Sequence, residues 1–161
     1  MTKVLHTGAA APHFELLNQD NEKISLKALA GQWVLLYFYP KDKTPGCTIE
    51  AQDFTKLLPE FKKRHTVVLG LSPDSTKSHC SFIKKEALQL TLLSDPKHET
   101  IAAYGQWQLK KTFGFEHMGV VRSTFIIDPQ GKLAHVWLKV TVPGHAAEVL
   151  ETLKDLQTTT V

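Results

Sequence analysis

A chain of 161 residues, 42% hydrophobic and 22% charged, is long enough to bury one complete core and too short for two ordinary domains, so residues 1–161 read as a single domain. Its formal charge of +3 comes from scattered basic residues, the densest run being Lys62-Lys63-Arg64 at an expected helix end, where a cation suits the dipole; this argues against nucleic acid as a partner. No apolar stretch approaches the ~20 residues of a membrane span, the N-terminal residues lack the apolar segment of a secretory signal, and two cysteines make no disulfide scaffold, which together describe a soluble, cytoplasmic chain with reduced thiols.

Phe14-Glu15-Leu16-Leu17 and Lys23-Ile24-Ser25, separated by the polar turn Asn18-Gln19-Asp20-Asn21, read as an N-terminal β-hairpin. A helical turn over Leu26 to Ala30 ends at Gly31. The run Trp33 to Tyr39 is apolar throughout, as in a strand covered on both faces, and is expected in the middle of the sheet. From Thr48 to about Arg64, Ile49, Ala51, Phe54, Leu57, Leu58 and Phe61 recur at helical spacing, with Pro59 expected to kink the helix or end its first half. Val67 to Leu71 is a second buried strand. Ser72-Pro73-Asp74-Ser75 then turns into a helix from about Thr76 to Ala87.

Leu90 to Leu93 reads as a third strand, His98 to Tyr104 as a short helix and Thr124 to Ile127 as a fourth strand. Asp128-Pro129-Gln130-Gly131 turns the chain into an antiparallel partner, Lys132 to Leu138. Ala146 to about Leu156 is an amphipathic C-terminal helix. Strands alternating with helices first and a hairpin last point to an α/β, thioredoxin-like fold, with a central mixed β-sheet flanked by helices and an N-terminal hairpin.

Cys47 lies in Pro40-Lys41-Asp42-Lys43-Thr44-Pro45-Gly46-Cys47-Thr48, between an apolar strand and an amphipathic helix. The N–H groups and positive dipole end of a helix N-terminus favour a thiolate, which makes Cys47 a candidate nucleophile. A disulfide oxidoreductase would place Cys-x-x-Cys at this junction; here the first thiol is replaced by the hydroxyl of Thr44. A lone activated thiolate beside a hydroxyl suits reaction with a small electrophile better than disulfide exchange.

The segment FYPKDKTPGCTIEAQDF, with the pattern Pro40-x-x-x-Thr44-x-x-Cys47, resembles the active-site loop of peroxiredoxins, closest to the bacterioferritin comigratory protein or PrxQ branch. The resemblance continues through Leu69 to Ser75, Leu92 to Pro96, Arg122 to Asp128 and Val142 to His145. It implies a thiol peroxidase that reduces hydrogen peroxide and organic hydroperoxides without a prosthetic group. It also implies that Cys47 is the peroxidatic nucleophile, that Thr44 hydrogen-bonds thiolate and peroxide, that Pro40 shields the sulfur and that Arg122 supplies positive charge. Glu50 matches an acidic position that would orient the arginine; its plain alternative is a carboxylate placed by the helix dipole. The implied reductant is thioredoxin or glutaredoxin with glutathione, and the implied state is a monomer.

The chain departs from many relatives in carrying Gln52 where a second cysteine usually follows the first by five residues. That leaves Cys80 as the intramolecular resolving candidate, although the resemblance puts the usual helical thiol at Ile83, about one turn or ~5 Å away. Cys80, Ile83 and Ala87 also form an apolar stripe, so a merely packed Cys80, with resolution by an external thiol, stands beside the two-cysteine cycle. A Cys47–Cys80 disulfide would require the first turn of each helix to unwind. His79 beside Cys80 is the only close Cys/His pairing, and no metal-ligand spacing exists. Trp107, Phe113 and Phe115 fit ordinary core better than the wall of a peroxide pocket. The rival to an enzyme is a noncatalytic thioredoxin-like interaction module or holdase chaperone, which has no physical need of Pro40, Thr44, Cys47 and Arg122 together. A second rival, disulfide exchange with protein substrates, would require reduction of insulin.

Overall fold

The structure, a computed structural model, describes residues 5–159; the first four residues of the N-terminal stretch read above against a secretory signal lie outside them. In chain order the elements are β1 (Glu15–Asn18), β2 (Lys23–Ser25), a 3₁₀ turn (Lys27–Leu29), β3 (Trp33–Phe38), α1 (Pro45–Lys63), β4 (Thr66–Ser72), α2 (Thr76–Glu86), β5 (Thr91–Ser94), α3 (Glu99–Ala103), β6 (Trp107–Thr112), β7 (Phe115–Val120), β8 (Ser123–Ile127), β9 (Leu133–Trp137) and α4 (His145–Thr159). The main sheet runs β2-β1-β5-β4-β3-β8-β9. Parallel pairing joins β3, β4 and β5, and antiparallel pairing joins β8 to β3, β9 to β8, and β1 to both β5 and β2. This is the mixed sheet and N-terminal hairpin of a thioredoxin-like fold.

Alternating side chains of β3 point to opposite faces of the sheet. Leu35, Tyr37 and Tyr39 pack with Phe54 and Phe61 of α1, Phe82 of α2 and Val149 and Leu153 of α4. Val34, Leu36 and Phe38 pack on the other side with Phe14, Ile101, Tyr104 and Leu133. The apolar run therefore has the two-sided burial its composition demands. Its place needs correcting: β4 is the central strand and β3 its neighbour.

Helix α1 begins three residues earlier than the periodicity suggests, because Pro45 fits the first helical position, where no N–H is needed, and it carries on through Pro59 to Lys63. Neither break nor halfway end occurs at Pro59. The lost hydrogen bond and ring clash cost about 3 kcal/mol, and Phe54 and Phe61, both fully buried on either side of it, offset that by about 1.5–3 kcal/mol each. Helix α2 is capped at its start by the Ser75 hydroxyl, which accepts from the Ser78 N–H, and ends at Ala87 in a left-handed conformation. Its fully buried residues are His79 and Phe82; of the stripe Cys80, Ile83 and Ala87, Ile83 is half-buried against the core and Cys80 half-buried, while Ala87 is exposed.

The largest difference is an unforeseen hairpin. Strands β6 and β7 pair antiparallel outside the main sheet, joined at Phe113 and Gly114, both with positive φ, as a two-residue turn requires. Phe-Gly lacks the Asn-Gly or Asp-Gly chemistry that signals such a turn. Phe113 is 97% and Phe115 75% exposed, so neither is core, while Trp107 at the hairpin's base stacks on His98 at 3.8 Å.

Candidate active site

Cys47 is the third residue of α1 and is buried. Glu50, one turn further along the same face, is buried too. Between them lies Arg122 from the segment before β8, its backbone carbonyl accepting from the Val140 N–H. Its guanidinium is forked: Nη2 donates to Cys47 Sγ at 3.2 Å and Nη1 donates to Glu50 Oε1 at 2.5 Å. Each is a charge-assisted bond, of a kind that contributes about 1.5–3 kcal/mol. Gly46 makes room for this approach, since a Cβ there would lie 3.3 Å from Arg122 Nη2.

Burial pushes the Glu50 carboxyl up to about 7, with Arg122 pulling the other way. For Arg122, burial works against the charge, but Glu50 and the Cys47 sulfur outweigh it and raise the guanidinium further. Glu50 Oε2 and the buried Tyr37 hydroxyl make no hydrogen bond among the described residues. An unpartnered carboxyl oxygen in an apolar setting is where a proton is retained, the same physics that lifts Glu50.

Thr44 precedes α1, and its carbonyl accepts from the N–H and hydroxyl of Thr48. Its own hydroxyl donates to the Lys41 carbonyl at 2.8 Å; no hydrogen bond from it to the Cys47 sulfur is present. The turn thus holds the hydroxyl next to the helix entrance without aiming its proton at the thiol. Pro40 is half-buried between β3 and this turn. Cys80 is half-buried in α2 and, like Cys47, a free thiol. Gln52 donates to Glu86 at 3.2 Å, tying α1 to the end of α2.

The sequence reading assigned no role to His145, Asp42 or His79, all at or beside the site. His145, at the start of α4, has Nε2 2.8 Å from Thr124 Oγ1, and burial lowers its basicity, with Glu148 opposing and Arg122 assisting. Asp42, inside the loop, accepts from the Tyr39 hydroxyl at 2.6 Å and lies 2.8 Å from His79 Nδ1. Ligand atoms of Asp42, Asp74 and His79 lie within 4.8 Å of one another, but both ring nitrogens of His79 are engaged, Nε2 by the Leu93 carbonyl at 2.9 Å, and the trio is a hydrogen-bond network. A buried histidine three residues into a helix carries no signal of its own in one sequence; only the fold shows that its partner is in the Cys47 loop.

The fold and this constellation describe a thioredoxin-like scaffold presenting a cysteine at a helix N-terminus beneath an arginine. The chain belongs to the AhpC/TSA family, whose profile matches residues 7–136, within the Bcp or PrxQ branch of the peroxiredoxins. It is 45% identical over 152 residues to peroxiredoxin Bcp of Bacillus subtilis, covering 94% of this chain and 97% of that one. It is 47% identical to a putative peroxiredoxin Bcp of Helicobacter pylori, covering 92% and 98%. Among solved structures it resembles a cysteine-to-serine mutant of Xylella fastidiosa PrxQ, with a TM-score of 0.90, 37% identity and coverage of 95% and 98%. It also resembles the Xanthomonas campestris bacterioferritin comigratory protein, described for its alkyl peroxide reduction, with a TM-score of 0.86, 41% identity and coverage of 94% and 97%.

Proposed function

We propose that this single-domain chain reduces hydrogen peroxide and organic hydroperoxides, using Cys47 as its nucleophile. The observation that carries this reading is the Arg122 fork, which places one cationic N–H on the sulfur and anchors the other on a buried carboxylate. A guanidinium 3.2 Å from the sulfur is already aimed where charge develops on the departing oxygen.

The Cys47 thiolate attacks one peroxide oxygen, the O–O bond breaks, and the departing oxygen takes a proton and leaves as water or alcohol. Cys47 is left as a sulfenic acid. Glu50 is the positioning residue for Arg122. Thr44 is the hydroxyl at the helix entrance that turns toward thiolate and peroxide once substrate is present, and Pro40 shields the sulfur from water. The sulfenic acid then condenses with a thiol, releasing water: either with Cys80 in the same chain or with an external thiol. The reductant is thioredoxin or glutaredoxin with glutathione, and the protein acts as a cytoplasmic monomer. One-cysteine resolution has an example among the structural relatives, a yeast mitochondrial 1-Cys peroxiredoxin resolved via glutathione/thioredoxin systems (26% identity, TM-score 0.80).

Peroxide consumption by the wild type and by Cys47→Ser tests the reading. Loss of turnover in the variant is the expected result. Equal rates would overturn it in favour of an interaction module or holdase.

A further inference from the structure

The second cysteine is surrounded in sequence by residues that hold the Cys47 loop. Ser78 donates from its hydroxyl to Asp42 Oδ2 at 2.8 Å, His79 Nδ1 lies 2.8 Å from the same oxygen, and Ser81 accepts from Lys43 Nζ at 2.7 Å. Residues 78, 79 and 81 of α2 are thus bonded to residues 42 and 43, and Cys80 lies among them. Behind the loop, the Asp42 N–H donates to Asp74 Oδ2 at 2.8 Å, and the Ser72 hydroxyl donates to that oxygen at 2.7 Å. The His79 ring is fully buried and spans from the Asp42 carboxylate to the Leu93 carbonyl of β5.

Lys43–Ser81 is an exposed contact and holds little. The Asp42–His79 pair is different: both side chains are almost wholly inaccessible, and breaking one member of such a pair leaves the other without its partner in a poorly solvating interior. An attacking thiol must reach the Cys47 sulfur, which is buried in the first turn of α1 just after this loop in the chain. The sulfurs of a disulfide must close to ~2 Å. Ser78 and His79, immediately before Cys80 in α2, hold this loop through the Asp42 carboxylate.

We infer that the Asp42–His79 pair is a latch that keeps the Cys47 loop and the first turns of α2 in the peroxide-reactive arrangement, and that its opening admits the resolving thiol to the Cys47 sulfenic acid. Asp42 and His79 are positioning residues in this account. Opening is followed by Cys47–SOH + HS–R giving Cys47–S–S–R and water, where HS–R is Cys80 or an added thiol. The intramolecular form rests on Cys80 as the resolving cysteine; the latch itself does not.

The test compares the wild type, Asp42→Asn and His79→Gln, each with Cys80 present and with Cys80→Ser. Backbone hydrogen exchange is followed in residues 40–47 and 76–81. The sulfenic acid made with one equivalent of hydrogen peroxide is followed by mass, alone and with dithiothreitol. In both latch variants the two segments should exchange faster together, by about tenfold, the equilibrium counterpart of losing one charge-assisted hydrogen bond. In the Cys80→Ser background, reduction by dithiothreitol should speed up by a similar factor. Leu133→Ala, which destabilises the opposite layer of the core, is the control for a merely structural effect and should leave that rate unchanged. Wild-type rates of segment exchange and dithiothreitol reduction in the latch variants, or an equal acceleration in Leu133→Ala, would overturn the latch. Absence of any Cys47–Cys80 disulfide, with dithiothreitol reduction still accelerated, would reject Cys80 as the resolving thiol while supporting the latch.

Discussion

Arg122 can bridge Cys47 and Glu50 because the two stand one turn apart on one helix face and Gly46 offers no side chain to hold the guanidinium away. The arrangement has a cost that pH reveals. Burial raises Glu50 from the ordinary carboxylate range to about 7, with the Arg122 charge opposing it, so near neutral pH protonation of Glu50 competes with the ion pair. The stability this contributes is whole below about pH 4 and is lost as pH rises through about 7, a change on the order of 3 kcal/mol. Glu50→Gln removes that titration. Thermal unfolding of wild type and variant should therefore show the wild type losing ground to Glu50→Gln between about pH 5 and 8, and a difference that stays constant across this range would contradict the assignment. In the same variant the arginine loses its ionic anchor, so turnover at neutral pH should fall.

At the scale of elements, β3, β4 and the start of α1 fix the site, and their packing leaves one position with no tolerance. A Cβ at Gly70 in β4 would lie 2.7 Å from Leu92 Cδ2 and 2.8 Å from Tyr37 Cζ, because the Tyr37 ring, stacked on Phe54 at 4.8 Å, lies over the strand. Gly70→Ala should cost about 1–3 kcal/mol and lower Tm by several degrees in a scan, and an unchanged Tm would show that the ring is free to move. Strands β3, β4 and β8 were legible as apolar runs, and α1 by its periodicity, because they bury whole faces. The β6–β7 hairpin was not: polar Gln108, Lys110, Lys111, Glu116 and His117 dominate it, its turn lacks the usual residues, and it buries little. The aromatic residues that suggested core, Phe113 and Phe115, stand at its exposed tip instead.

For the whole molecule, the resemblance of motifs in order along the chain led to the family and the fold before any geometry, and the Pro-x-x-x-Thr-x-x-Cys pattern pointed to the loop. The resemblance also led to Arg122 beside Cys47 with Glu50 orienting it, contacts that span 75 and 72 residues; what the sequence withheld was the Asp42–His79 pair across 37 residues and the Thr124–His145 contact across 21. These residue types are common, and only the closed sheet makes them neighbours. The claim on which the rest depends is that Cys47 is the residue peroxide oxidises. Fully reduced protein treated with one equivalent of hydrogen peroxide, thiol-blocked, weighed intact and peptide-mapped tests it most directly. The account predicts that Cys47 escapes blocking, carrying either an added oxygen or a bond to Cys80. Recovery of Cys47 as a fully blocked free thiol, with the peroxide consumed, would contradict it.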